Sequence, residues 1–129
     1  MPRKMKNPAV IAAHVAKIHR CELAPFLACC GGHSATQIHH VLRGNANRVD
    51  APWNIVSVCH QAHDMMHRDT AGGMILCWWV IHLRGELDID AIRQQWGRNP
   101  LARIEEVAKG YVDGSKYLAR KLLEVYGAP

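Results

Sequence analysis

The stretch "CHQAHDMMH", residues 59 to 67, carries three histidines at helical intervals. His60, His63 and His67 stand at i, i+3 and i+7, so on a helix all three share one face. His63 and His67 are i, i+4 neighbours, with Cβ atoms roughly 5–6 Å apart, close enough to share one metal ion. A second pair, His39-His40, precedes them in "SATQIHHVL". Adjacent strand residues point to opposite faces, so one imidazole of that pair can face the helix while the other points elsewhere. Two imidazoles from a helix and one from a strand make a three-ligand site with open positions, and open positions mark catalytic rather than structural metal sites.

The charge of the chain suits an anionic partner for such a site. Net charge is +5, and the excess is local: residues 1 to 48 hold Arg3, Lys4, Lys6, Lys17, Arg20, Arg43 and Arg48 against Glu22 as the one acid. Nucleic acid is the usual partner of a basic half. An open metal site on a basic protein suits phosphodiester hydrolysis, in which the metal polarises the phosphate and stabilises the leaving oxygen. A spare histidine, with an ordinary pKa near ~6.5, can take a proton from water at neutral pH. Arg43, Arg48 and Arg68 flank the histidines and could contact phosphates.

These side chains need elements to position them. "SATQIHHVL" and "WNIVSV" read as short strands, joined by the turn-rich "RGNANRVDAP". "CHQAHDMMHRD" then reads as a helix. The flanks are helical: "NPAVIAAHVAKIHR" and "NPLARIEEVAKG" each place an Asn cap before a first-turn Pro. "DIDAIRQQWG" runs from Asp88 to Gly97, and "DGSKYLARKLLEVYG" from Asp113 or Ser115 to Gly127. "GGMILCWWVIHLRG" fits a buried strand or a buried helix; its Met, Leu and Trp favour helix. The expected fold is α+β and mostly α, one domain over 1–129, with helical flanks at about 7–20 and 72–127. No apolar run reaches the ~18 residues of a spanning helix, so a cytoplasmic protein without a membrane partner is expected.

The order His39-His40, then Asn54, then His63 and His67 resembles the HNH nuclease family over about residues 29 to 68. "IHH", "WNIVSVC" and "CHQAHDMMH" stand where that family has its paired histidine, its asparagine and its His-x3-His. The resemblance implies a central ββα-metal motif and a metal-dependent DNA endonuclease that leaves a 5′-phosphate. It implies that His39, His63 and His67 are metal ligands, that His40 is the general base, and that Asn54 holds the loop and orients His40. One divalent ion is implied: magnesium, manganese, zinc or nickel. A monomer would nick DNA, and a homodimer could cut both strands. Small basic members occur in phages and mobile elements.

The cysteines depart from the family's pattern. Many relatives bind a structural zinc with two Cys-x-x-Cys pairs; here Ala62 replaces the partner of Cys59, and Cys29-Cys30 is not such a pair. A four-cysteine zinc is therefore not expected. Cys29 or Cys30 with Cys59 and His33 or His60 could form an irregular site. Cys29 or Cys30 with Cys59, His63 and His67 would instead give a closed Cys2His2 set, the alternative of a non-catalytic, zinc-stabilised nucleic-acid-binding module. Ordinary roles are expected elsewhere: Cys21 and Cys77 as buried thiols, His14, His19 and His82 as surface or satisfied core residues, and Met65, Met66, Trp78 and Trp79 in packing.

Overall fold

The computed structural model describes residues 6–29, 37–43, 48–110 and 114–127. Six α-helices, a 3-10 turn at Pro52–Asn54 and one small antiparallel sheet make up the regular structure of these residues: α1 (Pro8–Lys17), β1 (Gln37–His40), β2 (Ile55–Val58), α2 (His60–Arg68), α3 (Thr70–Leu83), α4 (Ile89–Trp96), α5 (Pro100–Gly110) and α6 (Gly114–Tyr126). The fold is thus mostly helical with one two-stranded sheet. No helix among the described residues is long and apolar enough to cross a membrane.

The ambiguous apolar run is helix. α3 is apolar on every side, as a helix surrounded by others must be. Ile75, Cys77, Trp78 and Ile81 are fully buried along it. They pack into one cluster with Met66 of α2, Val56 and Val58 of β2, Ile104 of α5 and Leu122 of α6. Asp69 ends α2 and caps α3, its carboxylate accepting from the Gly72 N–H at 3.0 Å. Just beyond, Gly73 lets the two helices touch. A Cβ there would stand 3.0 Å from Met66 Sδ and 3.3 Å from its Cα.

The helix starts follow their local signals, with one exception. Asp88 caps α4 through the Ala91 N–H, and Asn99 Oδ1 accepts from Leu101 N–H at 3.0 Å. Asn7 makes no side-chain cap; its own N–H donates to Asp50 at 2.8 Å instead. Asp113 lies outside the described residues.

A buried ionic network fixes β2 against the helices. Glu22 Oε1 takes a hydrogen bond from Arg84 at 2.7 Å, and its Oε2 meets His14 Nε2 at 3.1 Å and the Ser57 N–H at 2.7 Å. Arg84 also donates to the carbonyls of Pro52 and Ile55. Burial raises the Glu22 pKa, but bonds from His14, Ser57 and Arg84 outweigh it and hold the carboxyl below its ordinary 4.5. His14 is therefore a satisfied core histidine, and His82 likewise meets the Tyr126 hydroxyl at 2.7 Å. Of the two methionines expected in packing, Met66 is buried and Met65 is 37% exposed.

Candidate metal centre

β1 and β2 pair antiparallel with His39 opposite Val56 and His40 opposite Ile55. α2 begins two residues after β2, and this short connection brings the helix back to the sheet. Cys59 caps α2, its sulfur accepting from the Ala62 N–H at 3.3 Å. The helical phase then turns His63 and His67 toward His39.

The three rings close on one point. Their centroids lie 5.4 Å (His39–His63), 5.6 Å (His39–His67) and 4.5 Å (His63–His67) apart. One nitrogen from each falls within 4.8 Å of the others. His63 Nε2 and His67 Nε2 stand 3.2 Å apart, the separation two ligands take on one ion with bonds of about 2.0–2.1 Å. His39 is 3% exposed, and its Nδ1 has no hydrogen-bond partner among the described residues. A buried polar atom without a partner is costly, so His39 brings an uncommitted nitrogen to the cluster.

Electrostatics keeps His39 and His63 in ligand form. Burial, then the charge of Arg43, then the neighbouring histidines push the His39 pKa down to about 3. Burial and His67 also lower His63. Only neutral imidazole can bind a metal, so at neutral pH His39 has no proton to lose first. His63 is half-buried and His67 exposed, so the cluster opens on the surface and leaves coordination positions outside the protein. The Arg43 guanidinium contacts His67 Nδ1 at the rim.

His40 points elsewhere, as strand alternation requires. Its Nε2 is 2.7 Å from Asp50 Oδ1. Burial raises the Asp50 pKa, but bonds from the Asn7 N–H and His40 outweigh it and keep the carboxyl below its ordinary 3.8. An ionised carboxylate only accepts, so His40 Nε2 carries a proton toward Asp50, and in the neutral ring Nδ1 holds the lone pair.

The hydrogen bonds of the Asn54 side chain go to backbone and not to the His40 ring. Asn54 is fully buried, its Oδ1 accepting from Leu42 N–H at 2.7 Å and its Nδ2 donating to the Val49 carbonyl at 3.0 Å and the Leu42 carbonyl at 3.3 Å. It therefore clasps both ends of the inter-strand loop, and Val49 precedes Asp50. Asn54 thus holds the backbone on both sides of the His40–Asp50 pair: Val41 and Leu42, which follow His40, and Val49, which precedes Asp50.

The remaining expected residues divide. His60 does not join the imidazoles: its side chain is 74% exposed and faces Asp64 at 3.6 Å, one helical turn on. Its i, i+3 spacing places it near the face of His63, yet as the first residue of α2 it stays in solvent, apart from the converging rings. Cys30 and His33 lie outside the described residues. Cys29 and Cys59 do come together, but with Cys21 and not with a histidine. The described ligand types thus form two separate sets, three imidazoles and three thiols, and no mixed Cys2His2 set. Arg43 is half-buried at the cluster, while Arg48 and Arg68 are exposed. Sequence reasoning missed Asp50 and the membership of Cys21.

No protein-family model, curated protein or solved structure matches this chain.

Proposed function

We propose that this chain is a metal-dependent DNA endonuclease of the HNH type, with β1, β2 and α2 forming its ββα-metal core. The observation that carries this reading is the convergence of His39, His63 and His67 on one open, ion-sized site, with His40 beside His39 on the same strand and hydrogen-bonded to a carboxylate. A structural metal would need neither the open side nor a second, separately oriented histidine.

A divalent ion held by the three imidazoles would supply Lewis-acid stabilisation of the charge that builds on the phosphate and the leaving oxygen. Imidazole suits zinc and nickel better than magnesium, so several ions can serve. The chain's own residues do the rest. His40 Nδ1 takes a proton from water, and that oxygen attacks phosphorus in line with the 3′ oxygen. The P–O3′ bond breaks, leaving a 5′-phosphate and a 3′ oxygen that is protonated from solvent. Asp50 holds the imidazole and balances the positive charge it gains, as a carboxylate does for a histidine base. Arg43, beside His67, is within reach of a phosphate at this rim, and Arg48 and Arg68 add positive charge for the DNA backbone.

The test is cleavage of supercoiled plasmid by purified protein, stripped with EDTA and given back magnesium, manganese, zinc or nickel. Metal-restored nicking or linearisation is expected. No cleavage with any of these ions would overturn the reading.

A further inference from the structure

A second group of ligands lies outside the imidazole site. Cys21 follows α1, Cys29 lies further along the segment that leads to β1, and Cys59 caps α2. Their sulfurs all fall within 4.8 Å of one another. Cys21 Sγ and Cys29 Sγ are 4.0 Å apart, well beyond the ~2.05 Å of a disulfide and close to the separation of two thiolates on one ion with Zn–S bonds of about 2.3 Å. Cys77, the other described cysteine, is not in the group; its thiol packs on Met66 Sδ at 3.7 Å.

We propose that Cys21, Cys29 and Cys59 form a second metal site, a thiolate site for zinc, that fastens the segment before β1 to the start of α2.

Three features favour a metal over three packed thiols. The cluster gathers sulfurs from segments 8 and 38 residues apart in the chain, which packing alone does not require of polar-tipped side chains. Cys59 caps α2 with the Ala62 N–H directed at its sulfur, which fixes that sulfur within 4.8 Å of the other two. Cys29 is half-buried and lines a surface cavity of about 360 Å³ with Ala28, Gln61, Asp64, Met65 and Arg68, so an ion can enter and a fourth donor has room.

Binding is a proton exchange: the three thiols each lose a proton to solvent as one zinc ion is taken up, with no redox change. The donor set also sorts the two sites. Thiolate selects zinc and other soft ions, whereas the imidazole set tolerates a wider range. The consequence for the imidazole site is mechanical. α2 carries His63 and His67, and a metal at Cys59 pins the start of that helix to the chain that leads into His39. The inference is independent of the hydrolytic reading, because its readouts are spectroscopic and need no activity.

The test is cobalt substitution of the full chain. The wild-type protein is expected to bind two cobalt ions and to show sulfur-to-cobalt charge-transfer absorption in the near ultraviolet. Cys29→Ser is expected to lose that absorption and one ion, while His67→Ala and Cys77→Ser keep the absorption. Absence of the charge-transfer band in the wild type, its survival in Cys29→Ser, or its loss in Cys77→Ser would overturn the proposal. Should Cys29→Ser not fold, the wild type decides alone: zinc must protect half-buried Cys29 from alkylation, mapped by mass spectrometry, and equal labelling with and without zinc would overturn the site.

Discussion

His40 Nε2 and Asp50 Oδ1 are 2.7 Å apart, and the other Asp50 oxygen accepts the Asn7 N–H. One carboxylate therefore joins the proposed base to the start of α1. With that acceptor fixed, the ring cannot turn its lone pair away from Nδ1 without breaking a charge-assisted bond. Asp50→Ala is expected to lower kcat for DNA cleavage while leaving metal binding in place, and by less than His40→Ala, which removes the base itself. A wild-type kcat in Asp50→Ala would show that His40 needs no such partner.

The Asn54 side chain makes three hydrogen bonds to backbone and, among the described residues, none to a side chain. Asn54→Ala leaves the Leu42 N–H and the Val49 carbonyl in a buried place without partners. The expected cost is about 1–3 kcal/mol for each group left unsatisfied. Thermal unfolding reads it directly. An unchanged Tm would mean that the loop closes without this clasp.

His39 tests the metal assignment independently of catalysis. Ligand binding to the folded state stabilises it, by about 2.7 kcal/mol at a free concentration a hundred times Kd. Nickel is expected to raise the Tm of the wild-type protein, and His39→Ala is expected to lose most of the part due to the imidazole site. An equal nickel-induced rise in both proteins would remove His39 from the ligands.

Glu22 sets an acid limit on stability. Its pKa is depressed in the fold, so its contribution is present above the ordinary 4.5 and is lost as pH falls through the folded value. Glu22→Gln is expected to be less stable at neutral pH and to lose less stability on acidification below 4.5 than the wild type. Arg84→Ala strands the buried carboxylate, and a cost of about 3–5 kcal/mol is expected. Chemical denaturation at pH 7 and pH 4 checks both.

What the sequence made legible was what local rules control. The spacing of His63 and His67 needs only helical geometry, and the opposed directions of His39 and His40 need only strand geometry. Asp88 and Asn99 announce their helices because a cap bonds within its own turn. The rest depends on contacts made across the chain. Asp50 reads as a turn residue until the loop folds back and sets it against His40, 10 residues earlier. Asn54 reads as a partner of His40, yet its side chain bonds the backbone of Leu42 and Val49 on either side of the His40–Asp50 pair. Cys21 reads as one more buried thiol, since nothing local ties it to Cys59. His60 errs the other way: it has the helical phase of its neighbours but, as the first residue of α2, stays exposed beside Asp64.

The central claim is a division of labour between metal ligands and a base, and single-turnover cleavage of plasmid DNA across a metal titration tests it most directly. His67→Ala is expected to cleave poorly at low metal and to recover as metal is raised, because the loss lies in affinity. His40→Ala is expected to remain slower by about 10²–10⁴ at every metal concentration. Recovery of His40→Ala at high metal, or cleavage by it at the wild-type rate, would contradict the assignment.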